Sequence, residues 1–137
     1  MTARKPGRRR RTKIGGAFSW RLIEMLESPA YRALSLSAHR ILARLEIEIA
    51  HHGGTDNGRL ICTYEHFREY GLDHKAIAPA LRECIALGFV EMTTEGFVGN
   101  REYCDPNRYR LTYRDTDKED ATNDWRKIQT KEAAERL

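Results

Sequence analysis

At 137 residues, with 40% hydrophobic and 32% charged residues, the chain suits one small domain with polar extensions and leaves little room for two independent cores. Its net charge of +4 is uneven: residues 1–13 hold seven basic groups and no acid, whereas the other 124 hold 17 basic and 20 acidic groups. No apolar run approaches the ~20 residues of a membrane-spanning helix, no secretory apolar segment follows the arginines, and the widely spaced Cys62, Cys84 and Cys104 outline no disulfide framework; a cytoplasmic, reducing location is the expectation.

Residues 1–16 form a basic arm closed by Gly15 and Gly16. Like charges this dense repel one another and bury nothing, so the arm is expected to be disordered when free and to seek a polyanion. From Ala17 to Glu27 the spacing of Phe18, Leu22, Met25 and Leu26 predicts a short amphipathic helix broken by Ser28 and Pro29. Ser37 is the predicted N-cap of a second helix, Ala38 to Ala50. Its inner face is Ala38, Ile41, Leu42, Leu45 and Ile49, and Arg44 and Glu48 are spaced for an ion pair on the outside. His51 to Gly58 is a turn cluster, and Arg59 to Thr63 a short strand.

Thr63 is read as the cap of a helix from Tyr64 to Tyr70. Gly71 supplies a sharp turn, Leu72 fills the corner, and Asp73 caps a longer helix, His74 to Leu87, that ends at Gly88. Its predicted inward face is Ile77, Leu81, Cys84, Ile85 and Leu87. Pro79 removes one backbone hydrogen bond, so the helix is either slightly kinked there or regular only from about Ala78; the kinked single helix is the favoured reading. Two strands follow. Phe89 to Thr94 alternates, and Arg108 to Arg114 sets Tyr109, Leu111 and Tyr113 against a polar row of Arg108, Arg110, Thr112 and Arg114. The intervening Glu95 to Asn107 is long for a tight hairpin. After Arg114 a polar linker is expected to lead to a final helix, Asn123 to Arg136, capped by Thr122, with Trp125 and Ile128 free to dock on the domain or on a second subunit.

Helix, turn, helix and ribbon, in that order, give an α+β, mainly α chain of the winged helix-turn-helix kind: a three-helix core and a short β-hairpin wing, with an extra N-terminal helix and a C-terminal helix. The expected domain spans residues 17–114, flanked by the arm and by residues 115–137. In such a geometry the second helix of the pair meets base edges. The candidates there are Asp73, His74, Lys75, Ala78 and Arg82. Lys75 and Arg82 stand two turns apart on one side, and an arginine can contact guanine or phosphate bidentately. On the wing, Asn100, Arg101, Arg108 and Arg110 are candidate phosphate or minor-groove contacts, although the strand arginines could instead pair with Glu91 across the hairpin. Arg8, Arg9, Arg10 and Arg11 of the arm complete the candidate set.

The segments Ser28–Leu42, Gly53–Tyr64, Leu81–Phe89 and Asn107–Tyr113 resemble winged helix-turn-helix proteins over about Ser28 to Arg114, especially small bacterial proteins of plasmids, prophages and integrative elements. Pro79 departs from the usual recognition helix. The resemblance implies a DNA-binding protein, a transcriptional regulator or mobile-element accessory factor, with double-stranded DNA as partner and a homodimer as a further expectation. Two alternatives accompany it: a protein-interaction adaptor or anti-activator using the C-terminal helix, and a plasmid or phage replication initiation factor. His51, His52, Cys62 and His66 match no zinc pattern. No phosphate-loop, dinucleotide or hydrolase motif is present, so neither enzymatic activity nor a cofactor is expected.

Overall fold

The computed structural model describes residues 15–94, 96–98 and 104–137. Two single-turn helices come first, α1 (Ile23–Leu26) and α2 (Pro29–Arg32). The helix predicted over Ala17–Glu27 is thus confined to its last turn. Residues 17–22 lack regular structure because Arg21 is tied into the body: its guanidinium donates to Glu46 at 2.6 and 2.9 Å and to the Tyr31 hydroxyl at 2.7 Å. Ser28 caps α2 by accepting from the Tyr31 N–H, and Pro29 occupies the first turn, where its missing N–H costs nothing.

Helix α3 (Leu36–His51) carries the main apolar stripe, with Ala38, Ile41, Leu42, Leu45 and Ile49 buried. Its cap is Ser35 rather than Ser37, and the Ser35 hydroxyl accepts from the Ala38 N–H. Glu83 selects this residue by accepting from both the Ser35 N–H and its hydroxyl. The Arg44–Glu48 pair forms at 2.9 Å as its spacing implies. The turn cluster that follows is anchored by Asn57, whose buried amide donates to the carbonyls of Leu111, Arg114 and Asp115 and accepts from the Leu111 N–H. Where a strand was expected over Arg59–Thr63 there is one bridge, Leu60 against Tyr109.

Helix α4 (Tyr64–Glu69) begins with a reciprocal capping box between Thr63 and His66, and Phe67 is its buried residue. Helix α5 (His74–Ala86) follows Gly71 and runs through Pro79 without interruption. Beyond it come β1 (Val90–Thr94), β2 (Phe97–Val98), β3 (Cys104–Asp105) and β4 (Arg108–Leu111). β1 pairs antiparallel with β4, and β2 with β3. Strand β4 is shorter than the run to Arg114 because the chain turns after Leu111. Helix α3 packs on α5, α4 on α5, and α5 on β1, which defines a mixed, mainly helical α/β body with one core.

The C-terminal stretch differs most from expectation. It forms a 3-10 turn, Asp124–Lys127, and a short helix, α6 (Lys131–Glu135), capped by Thr130 rather than Thr122. Asn123 adopts a left-handed conformation, its N–H donates to the Thr112 carbonyl, and its side chain accepts from the Trp125 indole. Trp125 is 2% exposed and Ala134 is also buried. Of the two docking options for Trp125 and Ile128, the structure has the domain: the 3-10 turn and α6 both lie against α2 and close over the core.

Candidate nucleic-acid interface

Helix α5 presents two sharply different faces. Ile77, Ala80, Leu81 and Cys84 are buried, and burial pushes the Cys84 thiol far above its ordinary pKa, so it acts as an apolar side chain. On the other side Lys75, Ala78, Pro79, Arg82 and Ala86 fall within about 100° of one another at 3.6 residues per turn; all are exposed except the half-buried Ala78. Lys75 and Arg82 stand ~10 Å apart along the axis, with only the small Ala78 and Pro79 between them. The result is a low ridge with a cation near each end. The one acid within α5, Glu83, is turned towards the body by its bonds to Ser35. Asp73 at the N-cap is exposed and makes no side-chain capping bond, so its carboxylate is available to accept from a donor such as the cytosine amino group.

The turn that positions α5 depends on a long-range contact. Arg40 of α3 donates to the Gly71 carbonyl at 2.9 Å, and Gly71 has φ +100°. A Cβ at Gly71 would collide with the same guanidinium. Tyr64, opening α4, lies edge-on to the His74 ring with centroids 5.7 Å apart, which links the starts of the two helices. His74 is exposed. Arg40, Tyr64 and Glu83 are thus positioning residues that sequence patterning does not single out. Each acts on a residue distant in the chain, and neither residue type nor helical spacing encodes such partners.

The wing candidates divide. Arg108 lies in β4 opposite Thr94 and is half-buried. Of the two readings open for Arg110, a backbone contact and a pairing with Glu91, the structure has the second: Arg110 is only 6% exposed, donates to Glu91 at 2.8 Å across the ribbon and faces Asp124 at 4.0 Å. The reason is the C-terminal 3-10 turn, which covers the ribbon face that strand alternation assigned to solvent. Thr112, on the same face, is buried as well. Arg110 is a structural cation and leaves the candidate interface. Asn100 and Arg101, together with Arg8, Arg9, Arg10 and Arg11 of the arm, lie outside the described residues.

Two of the histidines that could suggest a metal have other uses. His52 pairs with Glu48 at 3.0 Å and Asp56 at 3.4 Å, and His66 serves the α4 cap. Cys62 is buried, which raises its thiol pKa to about 11. Among the described residues no cluster of three or more such groups is placed to hold a metal, and no helix is long and apolar enough to cross a membrane. Comparisons with models of protein families, with curated proteins and with solved structures gave no match. The class established by the fold is a mixed, mainly helical α/β domain.

Proposed function

We propose that this chain is a DNA-binding protein of winged helix-turn-helix type, a bacterial transcriptional regulator or mobile-element accessory factor acting in the cytoplasm. The carrying observation is the exposed ridge of α5, with Lys75 and Arg82 flanking small side chains and the acid of Glu83 turned inward. In this reading α4 and the Gly71 turn hold α5 against the major groove, and His74, Lys75, Ala78 and Arg82 meet it. Arg82 reads guanine or clamps a phosphate. Arg108, Asn100 and Arg101 of the ribbon contact the flanking backbone, and the arm supplies phosphate contacts without sequence preference. Burial of Trp125 leaves that side chain unavailable to an adaptor working through the C-terminal helix, one of the features behind that alternative.

The test is binding to random duplex, and to a site selected from a random duplex pool, at two salt concentrations. Full-length protein should bind both, and removal of residues 1–13 should lower the salt slope by up to ~6 as seven counterion-releasing charges are lost. Lys75→Ala and Arg82→Ala should each weaken the selected site by about 1–3 kcal/mol and random duplex by much less. Absence of duplex binding at low salt, or equal losses on both duplexes, would defeat the reading.

A further inference from the structure

Ahead of α1 and at its first residue the chain exposes apolar side chains that the fold leaves uncovered: Phe18 is 62% exposed, Trp20 59%, and Leu22 and Ile23 are also in solvent. A cluster of large apolar groups is an unfavourable surface unless something covers it. These residues are not on a loose thread. Immediately after Trp20, Arg21 is locked to Glu46 and Tyr31. Immediately before it, the Ser19 hydroxyl accepts from Arg114 at 3.1 Å, and the Arg114 guanidinium lies 4.9 Å from the Trp20 ring centroid. Phe18 stands beside Trp20, with centroids 6.3 Å apart and planes tilted by 53°. Two aromatic rings are thereby held outward, one of them against a guanidinium.

The charge of the flanking sequence names the occupant. Residues 1–23 contain eight basic groups and no acid, so a partner for this patch must tolerate or seek dense positive charge while offering flat apolar faces. Unpaired nucleobases on a phosphate backbone meet both demands. Aromatic rings stack on any base, an arginine adds cation–π attraction, and a basic tract follows the phosphates. The backbone of residues 17–22 has no regular structure, which disfavours the amphipathic helix that a membrane-surface anchor normally uses.

We infer that Phe18 and Trp20 form a stacking platform for single-stranded nucleic acid, a second site separate from the α5 ridge and independent of the duplex reading. Bases stack on the two rings, and Arg114 holds the indole in place. Bound DNA that is locally unpaired would engage both sites.

The two tryptophans make the test direct, because Trp20 is exposed and Trp125 buried. Full-length protein is titrated with oligothymidylate of about 12 nucleotides, within the ~4–16 span of single-strand sites; a blunt duplex and phosphatidylserine vesicles are titrated in parallel. Oligothymidylate should quench the exposed indole and leave the buried one unchanged. By anisotropy of a labelled oligonucleotide, Phe18→Ala and Trp20→Ala should each weaken single-strand binding about tenfold, and Trp20→Phe should restore most of the loss. Both Ala variants should keep duplex affinity and the thermal midpoint, since neither ring is in the core. Unchanged single-strand affinity in both Ala variants would overturn the inference. So would equal losses on duplex and single strand, an indole response to vesicles but not to oligothymidylate, or a self-association abolished by Trp20→Ala with oligonucleotide binding intact. Lys75→Ala and Arg82→Ala, measured alongside, report on the duplex site alone, so either site can fail without the other.

Discussion

At Gly88 the chain leaves α5 with φ +89°, and a Cβ there would stand 2.7 Å from the backbone of Asp124 and Trp125. The neighbour is main chain, which cannot swing aside as a flexible side chain can. Gly88→Ala should therefore cost about 3 kcal/mol, combining left-handed strain with displacement of the C-terminal stretch. Urea unfolding followed by Trp125 fluorescence measures it, and a midpoint within experimental error of the parent would contradict the close approach. His39 makes a second prediction at this scale. It is half-buried with its ring 4.8 Å from that of Tyr31. Burial, and then the charge of Arg21, hold its pKa below the usual value. A histidine with a depressed folded pKa stabilises above its unfolded pKa of about 6.5, and that stability is lost as the pH falls through the lower folded value. Stability should drop between pH 7 and pH 5, and His39→Gln should flatten that part of the profile.

Helix α5 shows how far a pattern carries and where it stops. Its span, its buried stripe and the glycine turn before it follow from helical periodicity and turn chemistry, and they agree with the structure almost to the residue. The proline follows from neither. Pro79 has no N–H to give the Lys75 carbonyl, and an interior proline costs roughly 3 kcal/mol relative to alanine. Pro79 is exposed, so its replacement removes little packing. Pro79→Ala should raise stability by about 1–3 kcal/mol, read as a shift in urea midpoint with unchanged slope. A fall in stability would mean that the ring is needed for the path of the helix. The ribbon teaches the opposite lesson. Alternation in β4 separates Tyr109 and Leu111 from Arg108 and Arg110, but a period of two says only that the two faces differ. It does not say whether the polar face is open. Here a segment from far along the chain closes it, and Arg110 and Thr112 are buried.

For the molecule as a whole, the C-terminal stretch changes what counts as the domain. Trp125 and Ala134 belong to the same buried cluster as Phe89 and Leu111, and Asn123 extends the hydrogen bonding of the ribbon. Stopping the chain at Arg114 should therefore not yield a stable core. It should lower the thermal midpoint by more than 10 °C or prevent folding, because loss of a buried tryptophan alone costs about 3–5 kcal/mol. Circular dichroism melts of the full and shortened chains decide this, and matching melts would return residues 115–137 to the role of an appendage. Charge is also distributed at this scale. The body is slightly acidic and the arm strongly basic, so under the proposed function the salt dependence of binding should come mainly from the arm and discrimination between sequences from α5.

Residue order by itself determined the central helices α3, α4 and α5 to within a residue or two, the cap at Thr63, the glycine turn and the segregation of the basic arm, because each depends on neighbours within a few residues. Tertiary structure alone decided that Ser35 rather than Ser37 opens α3, that Arg110 takes the Glu91 pairing under a covered face rather than standing open, that Asn57 ties a loop to the ribbon, and that Phe18 and Trp20 stand in solvent. Those outcomes depend on partners tens of residues away. Burial is a property of what the rest of the chain places overhead, and no local periodicity carries that information.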